Sequence, residues 1–371
     1  MLSGFSHRMV DVGDATIALS TAGDGPPLLL LHGYPQTRAC WHRVAPALAR
    51  RFTVVAADLR GYGQSSKPPG GADHAAYSKR AMAADMVTAM ERLGHRRFAV
   101  AGHDRGGRVA HRMALDHPDR VERAAVLDIV PTRTLFAGTD QAFATAYYHW
   151  FFLIQPDGLP ETMIGRDPEW FLRETVRRWS GRAEPVAEEA LREYARWFAD
   201  PAAVHASCED YRAAATIDLE HDAADGDARI ACPLLVLWGE HGAMHRLYDV
   251  LDTWRPLARE VSGRALPGGH FLPEECPAET LDALGQAGPL DVAIFDCTHA
   301  GQKTSNKGHM DDGGVMQMIG ELRSRNAIAP HTRLIATHFS HNGKLLHEEI
   351  GRLFLPRGVE TAYDGMLVRV D

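Results

Sequence analysis

The chain has 371 residues, 45% of them hydrophobic and 24% charged, with a formal net charge of −8. These values are ordinary for a globular protein, and an acidic balance without a Lys/Arg-dense stripe argues against nucleic acid as the main partner. No apolar run approaches the about 20 residues of a membrane span, and the N-terminal stretch meets Asp11 and Asp14 before any apolar signal core, so no membrane partner and a cytoplasmic location are expected. The five cysteines, Cys40, Cys208, Cys232, Cys276 and Cys297, are scattered and odd in number, the pattern of reduced structural thiols.

In chain order, short Leu-rich or β-branched runs at Pro27 to Leu31, Phe52 to Ala57, Phe98 to Gly102 and Ala124 to Asp128 end at turn or polar residues and predict strands. They lack period-2 alternation, which predicts a parallel sheet covered on both faces by the intervening helices. From about residue 131 to 229 the strand signal gives way to aromatic-rich helical patterns such as Glu188 to Phe198, the mark of a helical cap inserted into the sheet unit. The strand pattern resumes at Leu234 to Trp238. The expected division is therefore a sheet unit over 1–130 and 230–286, a cap over 131–229, and a separate segment over 287–371. That last boundary rests on composition: all seven Trp lie between Trp41 and Trp254, whereas Asn306, Asn326 and Asn342 are the only Asn. Gly285 to Pro289 at the changeover reads as a linker.

The segment Phe98-Ala-Val-Ala-Gly102-His-Asp104-Arg-Gly106-Gly107-Arg108 carries the most chemistry. A strand running through Gly-Xaa-Asp-Xaa-Gly into a helix is the pattern of a nucleophile elbow, whose glycines permit a strained turn that lifts one side chain above the sheet. Taken alone, a helix N-cap Asp would explain Asp104 equally well. A carboxylate in this position can displace a leaving group from saturated carbon, leaving an ester on the enzyme that an activated water must cleave. His270, in Leu266-Pro-Gly-Gly-His270, is the candidate base, and Asp128, after a strand, the acid that orients it; nucleophile, acid, His is the chain order of this arrangement. The oxyanion donors are expected to be the backbone N–H groups of Arg105 and of Tyr34, in Leu31-His32-Gly33-Tyr34-Pro35.

Together with Asp58-Leu-Arg-Gly61-Tyr-Gly63, Asp128-Ile-Val-Pro131 and His149-Trp150, these motifs resemble the fluoroacetate (haloacetate) dehalogenases of the α/β-hydrolase superfamily over residues 5 to 286. The resemblance implies an α/β-hydrolase fold with Asp104, His270 and Asp128 as the triad. It implies Arg105 and Arg108 as the pair gripping the substrate carboxylate, and His149, Trp150 and Tyr211 as halide donors. Two guanidinium groups beside the nucleophile suit that role physically, because they fork an acid group and offset repulsion between two anions. A small 2-halo carboxylate is then the partner and no cofactor is needed; the sequence leaves a monomer or a homodimer open. In the blander reading, His149, Trp150 and Tyr211 are aromatic cap core. Rival activities are epoxide hydrolysis, which shares the Asp nucleophile and His but has no use for both arginines, and a non-catalytic ligand-binding relative.

The tail predicts strands at Val292 to Phe295, Leu334 to Thr337 and Met366 to Val370, and helices at Val315 to Arg325 and Lys344 to Leu355. Phe295-Asp296-Cys-Thr-His299 and Ala336-Thr-His338-Phe-Ser-His341 resemble the C-terminal part of a metallo-β-lactamase-fold hydrolase. That resemblance implies Asp296 and His338 or His341 as ligands, but no His-Xaa-His-Xaa-Asp-His segment exists, so no catalytic metal is expected. Half of a fold is expected to lack a complete core.

Overall fold

The structure is a computed structural model that describes residues 1–181, 186–285, 292–300, 310–324, 328, 332–339, 345, 347–363 and 366. Two compact units divide the chain, Met1–Leu284 and Gly285–Asp371.

The first unit is built on eight strands: β1 (Ser6–Asp11), β2 (Thr16–Ala22), β3 (Pro27–Leu31), β4 (Thr53–Ala57), β5 (Phe98–His103), β6 (Val121–Leu127), β7 (Leu234–Gly239) and β8 (Val261–Leu266). Their spatial order is β1-β2-β4-β3-β5-β6-β7-β8. The pairs β1/β2 and β2/β4 are antiparallel, and every pair from β4 through β8 is parallel. Leu28 to Leu31 on β3 are all buried, and each such side chain contributes roughly 1.5–3 kcal/mol by leaving water. The strands expected from apolar runs are all present within a few residues. β1, β2 and β8 were not expected. β1 is largely exposed and β8 carries Ser262, Gly263 and Arg264, because edge strands facing water need no continuous apolar run.

Between β6 and β7 the chain forms eight helices among the described residues, from Thr132–Ala137 to Ile217–Ala224. Their starts are local chemistry: Asp167 caps the N–H of Trp170 with Pro168 following, and Asp200 caps Ala202 with Pro201 following, the acidic cap and N1 proline that favour helix initiation. The helix Glu188–Phe198 has the expected bounds. Helix Pro201–Ala215 is buried along most of its length, including Glu209, Asp210 and Arg212.

In the second unit, β9 (Val292–Asp296), β10 (Arg333–Thr337) and β11 (Val359–Thr361) form a parallel sheet ordered β11-β10-β9. Helices Asp312–Ser324 and His347–Phe354 accompany it. Phe295, Val315, Ile319, Leu334, Phe354 and Val359 belong to a common core, so this segment closes a small core of its own despite its length. His341 and the strand expected to Val370 fall outside the described residues. Asp296 lies 3.0 Å from His338, and among the described residues no three metal-ligating side chains converge. All five cysteines are free, and among the described residues no helix is long and apolar enough to cross a membrane.

Candidate active site

Asp104 sits between β5 and helix Arg105–Asp116 with φ 47° and ψ −115°, a conformation that L-residues rarely adopt and that is held only where the surroundings enforce it. Neighbouring glycines make it possible. A Cβ on Gly102 would run into the backbone of Gly106, and one on Gly106 into that of Leu31 and His32. The turn is thereby wedged against the end of β3, which brings Tyr34 within reach: its N–H donates to Asp104 Oδ2 at 2.9 Å. Of the two expected backbone donors, the Tyr34 N–H makes the bond; the Arg105 N–H opens the helix beside it. A Cβ on Gly33 would strike the Asp104 side chain, so that approach requires glycine. Burial pushes the Asp104 carboxyl up, but His270, Arg105 and Arg108 more than offset it and hold the group below its usual range.

His270 and Asp128 meet as expected. Asp128 Oδ2 lies 2.6 Å from His270 Nδ1, and Asp128 Oδ1 accepts from the Gly239 N–H at 2.9 Å. An ionised carboxylate only accepts, which assigns the proton to Nδ1 and leaves Nε2 as the basic nitrogen; Nε2 is buried without a protein partner. Burial opposes the charged imidazole, yet Asp128 together with Asp104 and Glu275 raises its proton affinity above the ordinary value. His103, next to Asp104, donates from Nε2 to the His270 carbonyl at 2.7 Å, and burial lowers its pKa to about 3.

Both arginines flank the carboxylate and both are buried, but they are not the free forks that the sequence suggests. Arg105 donates from Nε and Nη2 to Asp210 Oδ2 and Oδ1 at 3.0 and 2.6 Å, and from Nη2 to the Asp210 carbonyl at 2.8 Å, leaving Nη1 unpartnered. Arg108 donates from Nη1 to the Val130 carbonyl and Thr132 Oγ1 at 2.9 and 3.0 Å, leaving Nε unpartnered. Burial and the Arg105 charge lower the Arg108 pKa to about 10. Each guanidinium is thus anchored on one edge and keeps N–H capacity on another.

The cap supplies the ceiling. Arg105 lies over the Tyr211 ring at 4.1 Å and Arg108 over Trp150 at 4.5 Å. Tyr211 packs edge-on against Tyr34, His149 and Trp150 at centroid distances of 5.4, 5.7 and 5.7 Å. Trp150 Nε1, Tyr211 OH and His149 Nδ1 are all buried without a protein partner. Burial drives the His149 pKa well down, so its imidazole is neutral. Buried polar groups are normally paired, and several orphans in one ring cluster mark a place built for a polar guest. All nine expected residues, Asp104, His270, Asp128, Arg105, Arg108, His149, Trp150, Tyr211 and Tyr34, fall in this one neighbourhood.

Sequence reasoning missed the supports. Asp210 accepts from Tyr62 OH at 2.7 Å and from Lys79 Nζ as well as Arg105. Trp179 stands between His149 and His270, at 4.2 and 5.3 Å from their rings. The one available hint was charge in an unlikely place: Glu209, Asp210 and Arg212 interrupt an Ala-rich run from Pro201 to Ala215.

Residues 26–277 match the α/β hydrolase fold family. The chain is 51% identical to the fluoroacetate dehalogenase of a Burkholderia species over 285 residues, spanning 76% of this chain and 94% of that one. It is 35% identical to the soluble epoxide hydrolase of Corynebacterium sp. strain C12 over 296 residues, spanning 78% and 100%. A crystal structure of an alpha/beta hydrolase from Nostoc sp PCC 7120 is similar with a TM-score of 0.76 at 59% identity, over 76% of this chain and 98% of that one. With its family match over residues 26–277 and relatives at 51% and 35% identity covered across most of their length, the chain belongs to the α/β-hydrolase fold family.

Proposed function

We propose that the N-terminal unit is a hydrolytic dehalogenase of small 2-halo carboxylates, with fluoroacetate as the type substrate. The observation that carries this is the pair of buried guanidinium groups flanking Asp104, each with N–H capacity left over. The likeness to fluoroacetate dehalogenase supports it.

Tyr34 N–H engages Oδ2 of Asp104, which leaves Oδ1 to attack C2 of the substrate. The carbon–halogen bond breaks as the new C–O bond forms, and halide departs with the electron pair. Arg105 Nη1 and Arg108 Nε orient the substrate carboxylate, while His149, Trp150 and Tyr211 donate to the departing halide. In a water-excluded site such directed donors act at full strength, and removing one of this kind typically costs about 10²–10³ in rate. His270 Nε2 then takes a proton from water, and the resulting hydroxide adds to Cγ of Asp104. The oxyanion rests on the N–H groups of Tyr34 and Arg105. Collapse expels the 2-hydroxy acid, whose alkoxide recovers a proton, and one proton passes to solvent per turnover. No cofactor enters these steps.

Halide release from fluoroacetate and chloroacetate by the wild type, absent in Asp104→Asn, is the expected result. A wild type that releases no halide from either refutes the reading. A second reading, epoxide opening, draws on the unpartnered Tyr211 hydroxyl and on the epoxide hydrolase relative; diol from styrene oxide without halide release would favour it. For the segment 287–371 we propose a fragment similar to the C-terminal part of a metallo-β-lactamase-fold hydrolase that holds no catalytic metal, which elemental analysis of the purified chain tests. The helical segment 131–229 we take as the specificity cap, and a cytoplasmic location as the setting.

A further inference from the structure

Glu275 is 2% exposed at the end of the short helix Leu272–Glu275 and has no part in the steps above. Its Oε1 accepts from the Phe271 N–H at 2.9 Å, and its Oε2 from the Gly269 N–H at 2.8 Å. These are the N–H groups of the two residues on either side of His270. The same Oε2 accepts a third bond, from the Gly181 N–H at 2.8 Å, just beyond the cap helix Pro168–Trp179. There the two backbones touch: a Cβ on Gly181 would lie 2.7 Å from the Gly269 nitrogen, and the His270 N–H donates to the Trp179 carbonyl at 3.0 Å. An ionised carboxylate offers about four acceptor sites, and three are spent on main chain that either carries the base or closes the cap over it.

We infer that Glu275 is a positioning residue: it ties the N–H groups of the two residues flanking His270 to the end of a cap helix, so that seating of the cap fixes where His270 Nε2 points. The inference rests on the reading of His270 as the base of ester cleavage. The charge matters as well as the reach. His270 is faced by Asp128, Asp104 and Glu275, which favour its protonated form, and by His103 and His149, both kept neutral by burial. Removing the Glu275 charge therefore lowers the proton affinity of His270.

The test uses the full chain as wild type, Glu275→Gln and Glu275→Asp, with chloroacetate as substrate. Because His270 acts only after halide has left, Glu275→Gln keeps a first-turnover burst of one chloride per site. Its steady-state rate falls about tenfold or more through misplacement of the base, and a carboxymethyl ester accumulates on Asp104. The acid limb of its steady-state rate, and the NMR titration of His270, move down by about half a pH unit or more, as loss of a nearby charge requires. Glu275→Asp keeps the charge but not the reach: its titration stays at the wild-type position while its steady-state rate falls with the burst intact, and it carries the test if the Gln variant does not fold. Burst and steady state falling together, or a Glu275→Gln enzyme within twofold of wild type with His270 unmoved, overturns the inference. A wild type without halide release refutes the dehalogenase reading instead, and the titration still decides the role of Glu275.

Discussion

Replacing Asp210 by Asn removes one negative charge from a place where it faces two cations. Asp210 is fully buried, Arg105 likewise, and Lys79 is 4% exposed. In the wild type the carboxylate accepts from both cations and from Tyr62 OH; the amide keeps the shape but leaves two buried positive groups with Asp218, 3.7 Å from Lys79 Nζ, as the remaining nearby carboxylate. Breaking a buried pair from one side costs about 3–5 kcal/mol. At about 2–4 °C per kcal/mol for a domain of this class, the melting temperature should fall by roughly 6–20 °C at neutral pH. Burial pushes the Asp210 carboxyl up, but Arg105 and Lys79 hold it well below the usual carboxylate range. Its stabilising contribution is therefore complete above the ordinary Asp value of about 3.9 and is lost as pH falls through the depressed folded value. The gap between wild type and Asp210→Asn should narrow only in strong acid. Arg105, released from Asp210, no longer presents Nη1 in a fixed direction, so the KM for haloacetate should rise about tenfold or more. Thermal melts from pH 3 to 8 and halide-release kinetics check both. A variant that melts within 2 °C of wild type with KM inside twofold would refute the view that Asp210 is the anchor.

Further outcomes concern His270 and Glu274. His270→Gln should release one halide per site and stop, leaving the ester on Asp104, detectable as intact mass; in the wild type the steady-state rate should fall as pH drops through a value above the ordinary imidazole range, because Nε2 must be unprotonated. The raised affinity of His270 also stabilises the fold below its unfolded value near 6.5, a contribution lost as pH rises through the folded one. Glu274, whose Oε1 accepts from Tyr194 OH at 3.0 Å and whose Oε2 accepts from Gln36, is pushed by burial to about 8. Between its ordinary value near 4.5 and about 8 the folded state holds a proton that the unfolded state has lost, so stability declines with pH across that window. Glu274→Gln should flatten this slope in melts recorded across it, and an unchanged slope would count against a buried neutral carboxyl.

Much of the site was legible because its parts are written as local motifs. Gly102, Asp104 and Gly106 lie within five residues, and the turn they make depends on backbone space alone. Asp128 was legible because it follows an expected strand, and His270 because it stands behind a glycine pair in the chain order nucleophile, acid, His. What escaped is held together by contacts distant in sequence: Asp210 meets Arg105 from a helix in the cap, and Gly181 meets Glu275 across 94 positions. No periodicity encodes such a meeting, since a buried carboxylate looks like a surface one until its partners are in place. For the same reason the sequence portrays Arg105 and Arg108 as unengaged, whereas both spend part of their donor capacity on the protein. The edge strands escaped for the opposite reason. Largely exposed segments such as Ser6–Asp11 need only pair with a neighbour, and pairing leaves a faint trace in composition.

Strands β5 and β6 run side by side with His103 opposite Leu127, and the Asp104 N–H donates to the Leu127 carbonyl at 3.1 Å while the Asp128 N–H donates to the Leu237 carbonyl at 2.8 Å. Asp104 and Asp128 therefore each follow directly on the last paired residue of neighbouring strands. The spacing of their backbones is set by the strand spacing at the end of the sheet. Ligand-driven motion of the cap can reshape the chamber above them without altering the spacing beneath, and heating should abolish that spacing only when the ladder itself comes apart.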